Sequence, residues 1–199
     1  GQTLTVNLAG APGEADGQGA KINNLMGATG SSLAVNNTGD GTAVVILNNK
    51  QMTTGEDDID PAGQDTVMGG SITGGSNVTF IKEGTGTLTV GGTMDVETLA
   101  LREGNIILNG TENSLDTLTL EGGGLTISGN AEIETITGTE AGGTLAIQGT
   151  LDLTGTSSIN NGAITGTGSL RIREGAELAL GGEARLDGTS VTADGTLTL

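Results

Sequence analysis

The chain has 199 residues, of which 38 are glycine and one is aromatic (Phe80), and 24 acids against 7 bases give a net charge of −17. That balance excludes a binder of nucleic acid or of anionic membrane surfaces, because attraction to phosphate needs clustered cations. The absence of Cys and His excludes a disulfide framework, thiolate chemistry and the usual zinc sites, and no stretch is apolar enough to span a bilayer as a helix.

Residues 1–77 read as an irregular N-terminal portion. Strands are expected at Leu4/Val6/Leu8, Leu33/Val35 and Val44 to Leu47. Loops are expected over Ala9 to Gly19 and Gly55 to Gly63, where Pro, Gly and acidic residues concentrate. The Asn pairs Asn23-Asn24, Asn36-Asn37, Asn48-Asn49 and Asn160-Asn161 suit corners with left-handed backbone angles, or Asn ladders between stacked strands. The densest acidic run is Glu56-Asp57-Asp58-Ile59-Asp60. Ca²⁺ takes about six to eight oxygen ligands, but neither EF-hand spacing nor a Gly-Gly-x-Gly-x-Asp nonapeptide is present. A solvated acidic loop is the reading adopted.

From residue 78 to the end an aliphatic-x-aliphatic couplet keeps returning: Leu88/Val90, Met94/Val96, Leu99/Leu101, Ile106/Leu108, Leu118/Leu120, Leu125/Ile127, Leu145/Ile147, Leu151/Leu153, Leu170/Ile172, Leu178/Leu180 and Leu197/Leu199. Alternation with period 2 marks a strand with one buried face. The corner Ile81-Lys82-Glu83-Gly84 returns as Leu101-Arg102-Glu103-Gly104, and more weakly as Leu120-Glu121-Gly122. A turn of about 18 to 20 residues with three strands predicts an all-β, right-handed, single-stranded parallel β-helix (β-solenoid) of about nine turns. Drifting spacing and Gly-rich corners argue against a left-handed hexapeptide helix. Between Leu153 and Leu170 only Ile159 and Ile164 are apolar in the pattern, so one irregular turn is expected there. The whole of 1–199 reads as one solenoid segment, regular over 78–199. Leu199 falls inside a Thr-Leu-Thr-Leu pattern, so the natural chain is expected to be longer.

Stacking the repeated corners would line up Glu83, Glu103 and Glu121 as a column of acids, with Lys82 and Arg102 beside them. Phe80 is expected to plug the bore or its end rather than to anchor a ligand. Asn36, Asn77 and Asn109 match the glycosylation sequon, a match read as chance.

The stretch Lys82-Glu83-Gly84-Thr85-Gly86-Thr87-Leu88-Thr89-Val90 resembles the passenger-associated transport repeat of bacterial autotransporters, whose core is Lys-x-Gly-x-Gly-Thr-Leu-Thr-Leu. Val96 to Asn109 approximates its continuation, and Gly143-Thr144-Leu145, Gly149-Thr150-Leu151 and Gly195-Thr196-Leu197 echo its Gly-Thr-Leu unit. The specific match covers about thirty residues. It lacks the aromatic spacer after the first strand, and no barrel pattern occurs within residues 1–199. The resemblance implies a surface-exposed or secreted passenger, located at the outer membrane or released, acting as a rigid stalk, a folding unit during secretion and an adhesive surface. A host or neighbouring-cell ligand, or self-association, is the partner class implied, with no nucleic acid and no membrane insertion.

The alternatives are a polysaccharide-active β-helix enzyme and a phage tailspike-type fibre. Glycoside hydrolysis needs two convergent carboxylates in a cleft, and a lyase needs a free basic residue. With no His, no Tyr, no aromatic platform and few bases, most of them beside an acid, the chain is not expected to be an enzyme. No catalytic, cofactor-binding or metal-binding residue is assigned.

Overall fold

The structure is a computed structural model that describes residues 2–9, 19–52 and 59–199. All regular structure among them is β, and the strands stack into a parallel solenoid with three faces. Face 1 carries nine strands, from Thr3–Leu8 to Ser190–Ala193. Face 2 carries nine, from Gly19–Asn23 to Thr196–Thr198. Face 3 carries seven, from Thr66–Met68 to Arg185–Asp187. In the middle coils, Met94–Leu101, Asn113–Leu120 and Asn130–Gly138 each run through the bend between faces 1 and 2 as one strand.

About seven coils have all three sides, fewer than the nine expected from length. The early coils consume more chain, since Leu4 pairs with Leu33 and Leu33 with Ile72. From Leu88 onward the pairing of face 3 sets shorter coils, through Ile106, Leu125, Leu145, Ile164 and Leu186 in turn. Part of the early excess is a hairpin outside the stack. Ile59–Gly63, in the stretch read as a loop, pairs antiparallel with Lys50–Met52.

Each couplet contributes its two aliphatic residues to the bore, because successive side chains of a strand point to opposite faces. Leu88, Leu99, Leu101, Ile106, Leu108, Leu118 and their counterparts are fully buried. The exception is the last couplet, where Leu197 is half-buried and Leu199 is 86% exposed. Phe80 lies in the bore, between Val45 of the coil below and Leu99 of the coil above. The stretch between Leu153 and Leu170 is not irregular. Strands Thr156–Ile159 and Ala163–Thr165 stay in register, and Ser157 takes the inward place of an aliphatic residue. Its hydroxyl accepts the Ile136 N–H at 2.9 Å, which offsets the cost of burying it.

Both roles foreseen for Asn occur. Asn7 and Asn36 stack with a side-chain hydrogen bond of 3.1 Å, as do Asn23 and Asn48 at 2.9 Å. Asn24 and Asn77 take left-handed angles, with φ of 55° and 59°.

Candidate functional surfaces

The corner that carries the Lys-x-Gly-x-Gly motif is built from the inside. In strand Val78–Glu83 the residues Val78, Phe80 and Lys82 share one parity and all point into the bore. Lys82 stacks between Leu47 and Leu101 with no exposed surface. Its Nζ donates to the carbonyls of Gly84 at 2.7 Å and Glu83 at 3.0 Å, and to that of Glu103 in the next coil at 3.4 Å. Burial pushes its pKa down to about 8, opposed by attraction to Glu103 and Asp65. The motif's second glycine is a packing necessity. A Cβ on Gly86 would collide with the carbonyl oxygen of Gln64, in the coil beneath. Sequence reasoning placed Lys82 on the edge, beside the acids; the alternation Val78, Phe80, Lys82 was the signal that it points inward.

The acid column is corrected by the register. Lys82 pairs with Leu101 and Leu101 with Leu120, so the next positions up the edge are Glu83, Arg102 and Glu121. Glu103 is one residue out of the column. Arg102 bridges its neighbours, with Nε at 3.0 Å from Glu121 and Nη1 at 3.3 Å from Glu83. These bonds raise the Arg102 pKa, chiefly through the Glu121 hydrogen bond. The edge is thus an alternating acid–base–acid ladder, and its charges largely offset one another.

The outward columns of faces 1 and 2 differ sharply. On face 1, Asp95, Ser114, Glu132, Asp152 and Arg171 lie in successive strands. Glu112 and the last three of these border a groove of about 440 Å³. Asp152 is held by Arg173, Nη2 to Oδ2 at 2.6 Å, while its Oδ1 is buried and has no hydrogen-bond partner. On face 2 one outward column reads Val44, Thr79, Thr98, Thr117, Thr135, Thr156, Glu177, Thr196, the other Lys21, Ile46, Ile81, Ala100, Thr119, Thr137, Ser158, Ala179, Thr198. Lys21 and Glu177 are the only charges in either column.

Among the described residues no three carboxylates converge closely enough to hold a metal ion. The run Glu56–Asp60 lies outside the described residues, apart from the backbone of Ile59 and Asp60 in the hairpin. Asn36, Asn77 and Asn109 are all exposed, and the Asn77 N–H is accepted by Glu97 at 2.6 Å. No family model, no curated protein and no solved structure matches the chain.

Proposed function

We propose that this solenoid is a non-enzymatic structural and adhesive segment of a bacterial surface-exposed or secreted protein of autotransporter type. It acts as a rigid stalk and as a unit that folds coil by coil during secretion. The observation that carries this reading is the corner at Lys82–Gly86. The motif positions there have structural tasks between stacked coils: a buried ammonium tied to carbonyls of two coils, and a glycine that admits the coil beneath. Such a motif serves stacking, not chemistry. Each coil pairs only with the coils above and below it, so a chain emerging from one end can fold onto the coil before it. Lack of Cys suits passage through an oxidising compartment.

The test is display. The chain, fused to a secretory signal and a C-terminal outer-membrane barrel, should reach the cell surface and become accessible to added protease. Retention in the periplasm in folded form would overturn the secretion reading.

A polysaccharide-active enzyme is the second reading, favoured by one observation. Glu132 and Asp152 are register partners on adjacent strands of the face 1 groove, with Arg171 on the next strand. Against it, Asp152 is already engaged by Arg173, and no aromatic ring lines the groove to hold a sugar. Release of reducing ends from acidic or neutral polysaccharides, lost in Glu132→Gln, would establish the enzyme.

A further inference from the structure

We infer that face 2 is a self-recognition surface on which a second copy of this chain docks face to face and antiparallel. A protein of net charge −17 repels its own copies on most approaches. Face 1 presents Asp95, Glu132 and Asp152 outward along a single column. The two central columns of face 2 carry hydroxyls and methyls over nine strands, with Lys21 in the first strand and Glu177 in the eighth as their charges; Ile81 and Ala100 in the third and fourth strands are nearly buried, and Glu83 closes the third strand at the edge. Neither Lys21 nor Glu177 takes part in the three ion pairs among the described residues.

The placement of these two charges selects one geometry. If two copies pack face 2 on face 2 in parallel, Lys21 meets Lys21 and Glu177 meets Glu177. If they pack antiparallel, with the two-fold axis between the fourth and fifth strands, each Lys21 comes opposite the eighth strand of the partner and beside its Glu177. Two opposite-charge pairs then close the two ends of one isologous interface. Between them the threonine columns meet as two flat, β-branched sheet surfaces, which is how sheets stack. Eight overlapping strands at ~4.8 Å spacing, each presenting about four residues, cover roughly 500 Å² per copy, or about 1,000 Å² in total. That is the lower end of a specific interface, so the pair is weak and reversible. Glu97, Asp116 and Glu134 border the face at the bend with face 1 and oppose approach at low salt. Stalks on two facing surfaces point toward each other and can pair antiparallel, and many such weak contacts between the surfaces add. The inference deepens the adhesive half of the reading above and rests on it for its biological sense, but its test needs no secretion.

Sedimentation equilibrium of the chain from ~10 µM to ~1 mM at moderate salt should show a reversible monomer–dimer equilibrium. Lys21→Glu and Glu177→Lys should each weaken it about tenfold, since each replaces attraction by repulsion at both ends. An equimolar mixture of the two variants should recover dimers, because the heterodimer sets opposite charges together at both ends and relieves the like-charge pairs of each homodimer. Thr135→Glu, at the centre of the face, should abolish the dimer, while Ser114→Glu on face 1 should leave it unchanged. Unaltered far-UV circular dichroism of each variant separates loss of docking from loss of fold. A wild type that stays monomeric across the range, a dimer indifferent to Thr135→Glu, or a mixture that recovers nothing would overturn the inference. Surface display that fails while this dimer forms would instead count against the secretion reading alone.

Discussion

Faces 1 and 2 share one inward grammar and opposite outward vocabularies. Along strand Asn113–Leu120, which serves both, Leu115 on face 1 and Leu118 on face 2 enter the same bore. Outward, face 1 shows Ser114 and Asp116, whereas face 2 shows Thr117 and Thr119. The inward residues are held to aliphatic types by close packing in a narrow bore. Outward residues are free of that constraint, so any difference between faces records what each face meets. The acids of face 1 border a polar groove, whereas the threonines of face 2 leave its central columns almost without charge.

The largest effect that separates inward from outward is a charge placed on neighbouring residues of one strand. Leu118→Asp should destabilise by on the order of 4 kcal/mol or more, because it leaves an unpaired charge in the bore. Thr119→Asp should change stability by only about 0.5 kcal/mol. Calorimetry of the pair decides it. Equal effects would mean that the strand faces are not distinguished as described. Because coils interact with neighbours alone, the Leu118→Asp transition should also split or broaden.

Next in size is the one cation that breaks the inward rule. Lys82 has a pKa of about 8 in the fold against 10.5 when exposed, owing to burial. The unfolded chain therefore binds more protons between those values, and stability rises as pH climbs through that window. Relative to Lys82→Met, the wild type should gain about 3 kcal/mol on going from neutral pH to the top of that window. Chemical denaturation of both proteins across that range measures it. A difference that stays flat, or runs the other way, would show that the ammonium is not held at the penalty its burial implies.

Smaller still is the corner beneath it. Gly86→Ala should cost ~1–3 kcal/mol, through the clash of the new methyl with the Gln64 carbonyl. Urea midpoints of wild type and variant would settle the size, and a neutral result would mean that the coils separate there at no cost. The smallest expected effect is at the charged edge. Arg102→Met should cost under about 1 kcal/mol, because the guanidinium is 46% exposed and its ion pairs are screened. A loss that grows when salt is lowered would support the bridging geometry.

Much of this was legible in the residue pattern. The period-2 couplets place Leu88, Leu99, Ile106 and Leu118 in a shared bore, and the return of a similar corner near Ile81, Leu101 and Leu120 implies stacked coils, although Leu101 stacks on Lys82 and not on Ile81. The all-β solenoid follows, because no other arrangement buries so many short, evenly spaced half-apolar strands at once. The task of Phe80 was legible too, since a lone ring in an aliphatic pattern has nowhere else to be buried. The hairpin over Ile59–Gly63 was not: Pro61 and the glycines read as a loop, and antiparallel pairing outside the stack leaves no periodic trace.

What sequence alone determines here is which residues face inward, because that depends on alternation within a single strand. What only the tertiary structure decides is which outward residues stack on one another, because that depends on the length of every corner between two coils. Coil length varies along the solenoid, and a shift of one position replaces an acid column by the ladder Glu83, Arg102, Glu121. The same arithmetic sets Glu132 beside Asp152, and Lys21 seven strands from Glu177 along columns that hold no other charge. Alternation is a local property of the chain; register is a sum over the whole coil, and its rounding is done by packing.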